Sequence, residues 1–344
     1  MPADPTDQKR YRILTIDGGG IRGVYAAVLL DRLAVAVPSF LDHVDLVAGT
    51  STGGIIALGL ADGLAPSDLV KLYRDNAGKI FDDSWLDDLK DVGGLYGADY
   101  DNEKLRDVLK GVFGRKKLAS LGKRVLVPTF DLDSGKVRGK VRMWKPKFFH
   151  NFPGSDSDGS ELAIDVALRT CAAPTYFPSY QGYIDGSVVA INPSMAALAQ
   201  ALDDEAANQR LENIRLFSIG TGINPTYLEG QDLDWGFAQW ARPLITLMSD
   251  GVMGVADYQC AHLLDEHYHR LAPVLPKAVP LDDADKIDDL VSKKLPDIID
   301  AQEVKRHPPG MKAVAVNGKV VVEDGQCHDV FPGKVRRQQL CKAN

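Results

Sequence analysis

Two short glycine-rich turns hold the residues of this 344-residue chain best suited to chemistry. Gly49-Thr50-Ser51-Thr52-Gly53 fits the pattern G-x-S-x-G, between a strand-like run at residues 44–48 and an apolar helical stretch at 55–61. A serine on a tight strand-to-helix turn is thrust out above a sheet, and small flanking residues let the chain bend that sharply. The helix that follows points its free N–H groups and dipole at the serine, which favours a developing negative charge. Ser51 is therefore a candidate nucleophile.

The second turn, Asp17-Gly18-Gly19-Gly20-Ile21-Arg22-Gly23, also joins a strand-like run (residues 11–16) to a helical one (21–36). Glycines leave backbone N–H groups uncovered, as an oxyanion hole or a phosphate cradle requires, and three in a row carry an entropy cost that a plain turn does not need. The same residues fit G-x-G-x-x-G, the dinucleotide-binding fingerprint, with Asp42 and Asp45 near its acidic position. An oxidoreductase is thus the main rival reading. In a βαβ unit the ends of the two strands lie side by side, so the glycine loop and Ser51 would share one crevice. A nucleophile beside an amide-lined pocket accounts for both loops, whereas a nucleotide accounts for one. The sequence favours acyl transfer.

A serine hydroxyl needs a base. An ordinary α/β-hydrolase order of Ser, acid, His would draw its histidine from His262, His267 or His269, which share a helical pattern (AHLLDEHYHR) with no loop signal. Tyr183-Ile184-Asp185-Gly186-Ser187 offers a carboxylate instead, at a turn after a short apolar approach. A carboxylate acts as base directly where it is partly dehydrated and within reach of the hydroxyl. These residues alone leave the choice open.

The elements around these loops alternate strand, helix, strand, helix over the first sixty residues, which implies a parallel sheet covered by helices. The pattern predicts helices at 101–112 and 162–171, strands at 124–130 and 216–219, and a strand at 137–144 pairing nearby. Residues 205–213 are polar and read as a solvated segment. Residues 282–300 carry a helical pattern at Ile287, Leu290, Val291 and Leu295. Two β-rich runs within 311–323 flank Asn317-Gly318, a strong hairpin signal, and residues 334–342 are basic. A boundary near residue 305 divides a main domain (10–300) from a C-terminal extension (301–344).

Composition narrows the partners. A net charge of -7 argues against nucleic acid, which demands a basic surface. No stretch approaches the ~18 apolar residues of a membrane span, and the polar first ten residues lack the apolar core of a secretory signal. Cys171, Cys260, Cys327 and Cys341 lie far apart, as reduced thiols of a cytoplasmic protein do.

Residues 17–23 (DGGGIRG), 49–54 (GTSTGG), 172–178 (AAPTYFP) and Asp185-Gly186 occur in the order and spacing of the patatin-like phospholipases, and residues 243–271, with DYQ and YHRL, resemble that family too. The likeness runs over residues 10–275. It implies a three-layer α/β/α fold with a mainly parallel central sheet, and lipid acyl hydrolase activity (phospholipase A or esterase) without calcium or any cofactor. It also implies a Ser–Asp dyad with no histidine. Ser51 matches the family nucleophile and Asp185 the base. Gly18, Gly19 and Gly20 match the oxyanion loop. Arg22 stands at its basic position, to orient the loop or meet a lipid phosphate, against the plainer alternative of a surface cap on the first helix. Ser187 departs from the family, which more often has alanine or glycine there. The implied partners are a phospholipid or acylglycerol substrate and a transient membrane-surface contact, which places the protein in the cytoplasm, peripheral to the membrane.

Overall fold

A computed structural model describes residues 10–80, 100–136, 141–230, 233–292, 313–316, 319–323 and 326–327. The first half runs β1 (Tyr11–Ile16), α1 (Gly23–Ala36), β2 (Leu46–Gly49), α2 (Thr52–Ala61), α3 (Pro66–Ile80), α4 (Asn102–Phe113), β3 (Arg124–Asp131) and β4 (Lys145–His150). Then come α5 (Ala163–Thr170), β5 (Tyr183–Asp185), α6 (Ser187–Ala190), α7 (Ser194–Leu202), β6 (Ile214–Ile219), α8 (Phe237–Leu264), β7 (Tyr268–Leu271) and α9 (Ile287–Ser292). A separate three-stranded sheet holds β8 (Ala313–Val316), β9 (Lys319–Glu323) and β10 (Gln326–Cys327).

The strands are apolar on both faces because both faces are covered. Leu14, Ile16 and Val47 pack with residues of α1, α2, α3 and α9. Their neighbours Ile13, Leu46 and Ala48 point the other way, onto Ala197 and Leu198 of α7 and Cys260 and Leu264 of α8. Val125 and Val127 of β3 meet α2, α4 and α5, while Leu126 between them faces the α7–α8 layer. The three-layer α/β/α expectation therefore holds. The main sheet has the order β4-β3-β2-β1-β6-β7, with β1, β2, β3, β6 and β7 parallel.

One feature of β3 positions the site. β4 runs antiparallel along one edge of β3, from Leu126 to Asp131. The other edge is shared: β2 pairs with Arg124 to Leu126, and β5 takes over at Thr129 to Asp131, opposite Tyr183–Asp185. Where β2 leaves the sheet to form the Ser51 turn, β5 enters it carrying Asp185.

Three expectations are corrected. The strand beside β3 begins at Lys145, not within 137–144; Val141, Met143 and Trp144 are exposed, and 137–140 lie outside the described residues. The helix carrying His262 ends at Leu264, where Asp265 turns to φ 47°, so His267 sits in a 3-10 turn and His269 in β7 beside β6. The helix expected over 282–300 is described only as α9 after a 3-10 turn, with Ile287 and Leu290 buried; Leu295 lies outside the described residues. The expected hairpin strands pair antiparallel with Val316 opposite Lys319. Asn317 and Gly318, the boundary near 305 and the basic stretch 334–342 lie outside the described residues. Among the described residues no helix is long and apolar enough to cross a membrane.

Candidate active site

The carboxyl ends of β1 and β2 are adjacent, with Ile16 paired to Gly49, and each strand turns at once into a helix. Ser51 occupies the second turn at φ 55°, ψ -127°, a backbone conformation that costs a non-glycine residue about 1–3 kcal/mol. Surrounding contacts hold it there. The Ser51 N–H donates to Thr170 Oγ1 (2.9 Å), and the Thr50 hydroxyl donates to the Ala190 carbonyl (2.6 Å). The turn closes only because Gly53 lacks a side chain: a methyl there would sit 2.4 Å from the Ile16 carbonyl oxygen. α2, which follows, is buried on every side. Its first residue is pinned by Tyr73, whose hydroxyl donates to the Thr52 carbonyl (2.8 Å) and lies 2.5 Å from the Thr52 hydroxyl.

The glycine loop lies directly alongside. A methyl on Gly18 would come within 3.4 Å of Ser51 Cβ. The three glycines are not equivalent, however. The Gly18 N–H donates to the Ile191 carbonyl (2.9 Å), so that amide is already spent. The Gly18 carbonyl accepts from the Thr221 hydroxyl (2.8 Å), which fixes the plane of the Gly18–Gly19 peptide and hence the direction of the Gly19 N–H. Among the described residues no acceptor bonds the Gly19 or Gly20 N–H. Gly20 has φ 56°, and a methyl there would lie 2.2 Å from the Leu281 carbonyl oxygen.

Asp185 ends β5 and is 1% exposed, against 8% for Ser51. Its N–H donates to the Ala172 carbonyl (2.9 Å), and its carboxylate accepts from the Ser187 N–H (2.7 Å). Burial pushes the Asp185 pKa up to about 6, and the neighbouring Ser51 hydroxyl and the Ser187 hydrogen bond restrain the rise. Ser51 and Asp185, 134 residues apart in sequence, are thus brought together, both buried, beside the glycine loop.

Comparison with known proteins places the chain in a family. The family model described as patatin-like phospholipase matches residues 14–198. The chain is 31% identical over 294 residues to protein Teg of Priestia megaterium, covering 78% of this chain and 89% of that one. The chain belongs to the patatin-like phospholipase family. It is also similar to the putative sporulation hydrolase CotR of Bacillus subtilis (32% over 302 residues; 80% and 91% covered). A cGAMP-activated phospholipase of Pseudomonas aeruginosa is 31% identical over 269 residues, with 76% and 78% covered.

Other sequence candidates stand apart from the Ser51 turn and the glycine loop. Asp42 and Asp45 precede β2, at the end of the strand opposite the glycine loop, and Asp45 accepts the Arg12 N–H (2.8 Å). They cannot serve a nucleotide on that loop. His262 is exposed on α8 with Nδ1 2.8 Å from the Tyr258 carbonyl oxygen, and no histidine is among the groups that shift Asp185. Arg22 is buried rather than a surface cap; one guanidinium nitrogen donates to the Gly222 carbonyl (2.8 Å), and the charges of Asp250 and Asp17 face it. Among the described residues no three His, Cys, Asp or Glu side chains are grouped as metal ligands.

Several residues around the Ser51 turn and the glycine loop carry no local signal in the sequence. Thr170, Thr221 and Tyr73 act through single hydroxyls from distant elements. Asp17, first residue of the glycine loop, is buried against Arg270 of β7, which donates to it at 2.5 and 3.2 Å and to the Ser218 hydroxyl at 2.6 Å. That pair anchors the start of the loop to β6 and β7.

Proposed function

We propose that this protein is a lipid acyl hydrolase that cleaves carboxylic esters through Ser51 and Asp185. The observation that carries the reading is a buried carboxylate set beside a serine on a strained strand-to-helix turn, its pKa raised by burial and held back by that serine's hydroxyl. Asp185 takes the Ser51 proton as Oγ attacks the ester carbonyl. The free amides of Gly19 and Gly20 receive the oxyanion, with Gly18 supplying geometry rather than a donor. On collapse of the tetrahedral intermediate the alcohol leaves with the proton held by Asp185. Water then attacks the acyl-serine, giving its proton to Asp185, and release of the acid returns that proton to Ser51. No metal or cofactor enters these steps.

Family membership supports a phospholipid or acylglycerol as substrate. A transient contact with a lipid surface belongs to the same proposal. It is favoured by Leu244, Ile245, Leu247 and Met248, all exposed on α8 just before Asp250, which faces Arg22 of the glycine loop. Ser51→Ala and Asp185→Asn are each expected to lose hydrolysis of p-nitrophenyl butyrate while keeping the wild-type circular dichroism spectrum. Full activity in either variant would remove the dyad.

A further inference from the structure

Ser51 and Asp185 are far apart in sequence and lie on different elements, so something must set the gap between them. Thr170-Cys171-Ala172, the end of α5 and the two residues after it, touches both. The Thr170 Oγ1 accepts the Ser51 N–H (2.9 Å), and the Ala172 carbonyl accepts the Asp185 N–H (2.9 Å). The buried Cys171 thiol between them adjoins the Ser51 hydroxyl and the Asp185 charge.

The donor bookkeeping at Thr170 is complete. A threonine hydroxyl has one hydrogen, and here it goes to the Pro128 carbonyl (2.6 Å), leaving a lone pair for the Ser51 N–H. Pro128 is itself part of the Asp185 support: its carbonyl oxygen would lie 2.2 Å from a methyl on Gly186, and the next residue, Thr129, is the register partner of Asp185. One hydroxyl therefore ties the strained serine turn to the strand that carries the base. We infer that Thr170 is a positioning residue that sets the distance between Ser51 and Asp185 by bracing the serine turn against Pro128 of β3. The inference rests on the dyad reading.

Thr170→Val keeps the shape and removes the hydroxyl. A misplacement near 1 Å costs about a hundredfold in rate, so kcat for p-nitrophenyl butyrate falls by about that factor with KM unchanged. The acid limb of the pH–rate profile moves to higher pH, because the displaced Ser51 hydroxyl restrains the Asp185 pKa less. Thr170→Ser, which retains the hydroxyl, restores most of the rate. A role in stability alone would lower the melting temperature but leave kcat and the acid limb of the folded enzyme unmoved. If Thr170→Val does not fold, Thr170→Ala replaces it with the same expected results. A wild-type kcat and acid limb in the hydroxyl-free variant, or Thr170→Ser as impaired as that variant, overturns the inference. Ser51→Ala run in parallel separates the two failures. An active Ser51→Ala sinks the dyad and this inference with it, whereas an inactive one beside a fully active Thr170→Val sinks the positioning role alone.

Discussion

Two buried aspartates stand at the two ends of this site and behave as opposites. Asp17 opens the glycine loop and Asp185 closes β5, and both are 1% exposed. Burial raises the pKa of each. Asp17 answers with a cation: Arg270 grips both of its carboxylate oxygens, and its own pKa is raised in return by the Asp17 charge. Asp185 is offered only neutral donors, the Ser51 hydroxyl and the groups of Ser187. A paired carboxylate is locked and holds a loop in place. One left buried with neutral donors has its pKa raised to about 6, the range in which the proposed base would take a proton and return it.

Breaking the comparison at Asp185 is expected to have the largest effect. A general base is worth ~10^2 to 10^4-fold, so kcat/KM of Asp185→Asn should fall by at least the lower figure in a p-nitrophenyl ester assay. Breaking it at Asp17 acts on stability. Arg270→Met leaves a buried carboxylate without its cation and should cost ~3–5 kcal/mol in urea unfolding, with much of the loss recovered in the double variant Asp17→Asn, Arg270→Met.

The contrast sharpens when pH is varied. The folded pKa of Asp185 lies above its unfolded value, so the group costs nothing well below pH 4, and the cost grows as pH rises from about 4 to about 6. A rise from 3.8 to about 6 corresponds to ~3 kcal/mol above pH 6. Asp185→Asn should therefore stabilise the protein at pH 7.5 by up to that amount, and hardly at all at pH 4, as melting temperatures would reveal. The most active form of the site is then its least stable one. The smallest effects belong to groups outside the dyad. A calcium chelator, and replacement of His262, His267 and His269 together, should each leave ester hydrolysis within about twofold; a collapse in either assay would restore a metal or an ordinary triad.

The site was half legible before any coordinates. The two strand–turn–helix units around Ser51 and the glycine loop are local patterns, and a parallel βαβ unit has few ways to fold, so their adjacency followed from the chain order. Local pattern failed where a long-range partner decides. The spent Gly18 amide depends on Ile191, and the orientation of Gly19 depends on Thr221, more than 170 and 200 residues away. Thr170 and Arg270 are ordinary residues in ordinary elements until the sheet brings them to the loops. His267 and His269 read as helical because AHLLDEHYHR has a helix-like apolar spacing; the helix stops at Asp265, and pairing with β6 makes the following residues a strand. Asp185 itself gave only a turn signal, and the family likeness, rather than its neighbours, singled it out.

Labelling by a fluorophosphonate reads the proposed activation of Ser51 by Asp185 directly. In the wild-type protein the probe should attach to Ser51, located by peptide mass spectrometry, at a rate that climbs through about pH 6 and then levels off. Asp185→Asn should remain unlabelled at every pH where it is folded. Labelling of Ser51 in that variant at the wild-type rate, or attachment of the probe to another serine, would contradict the account.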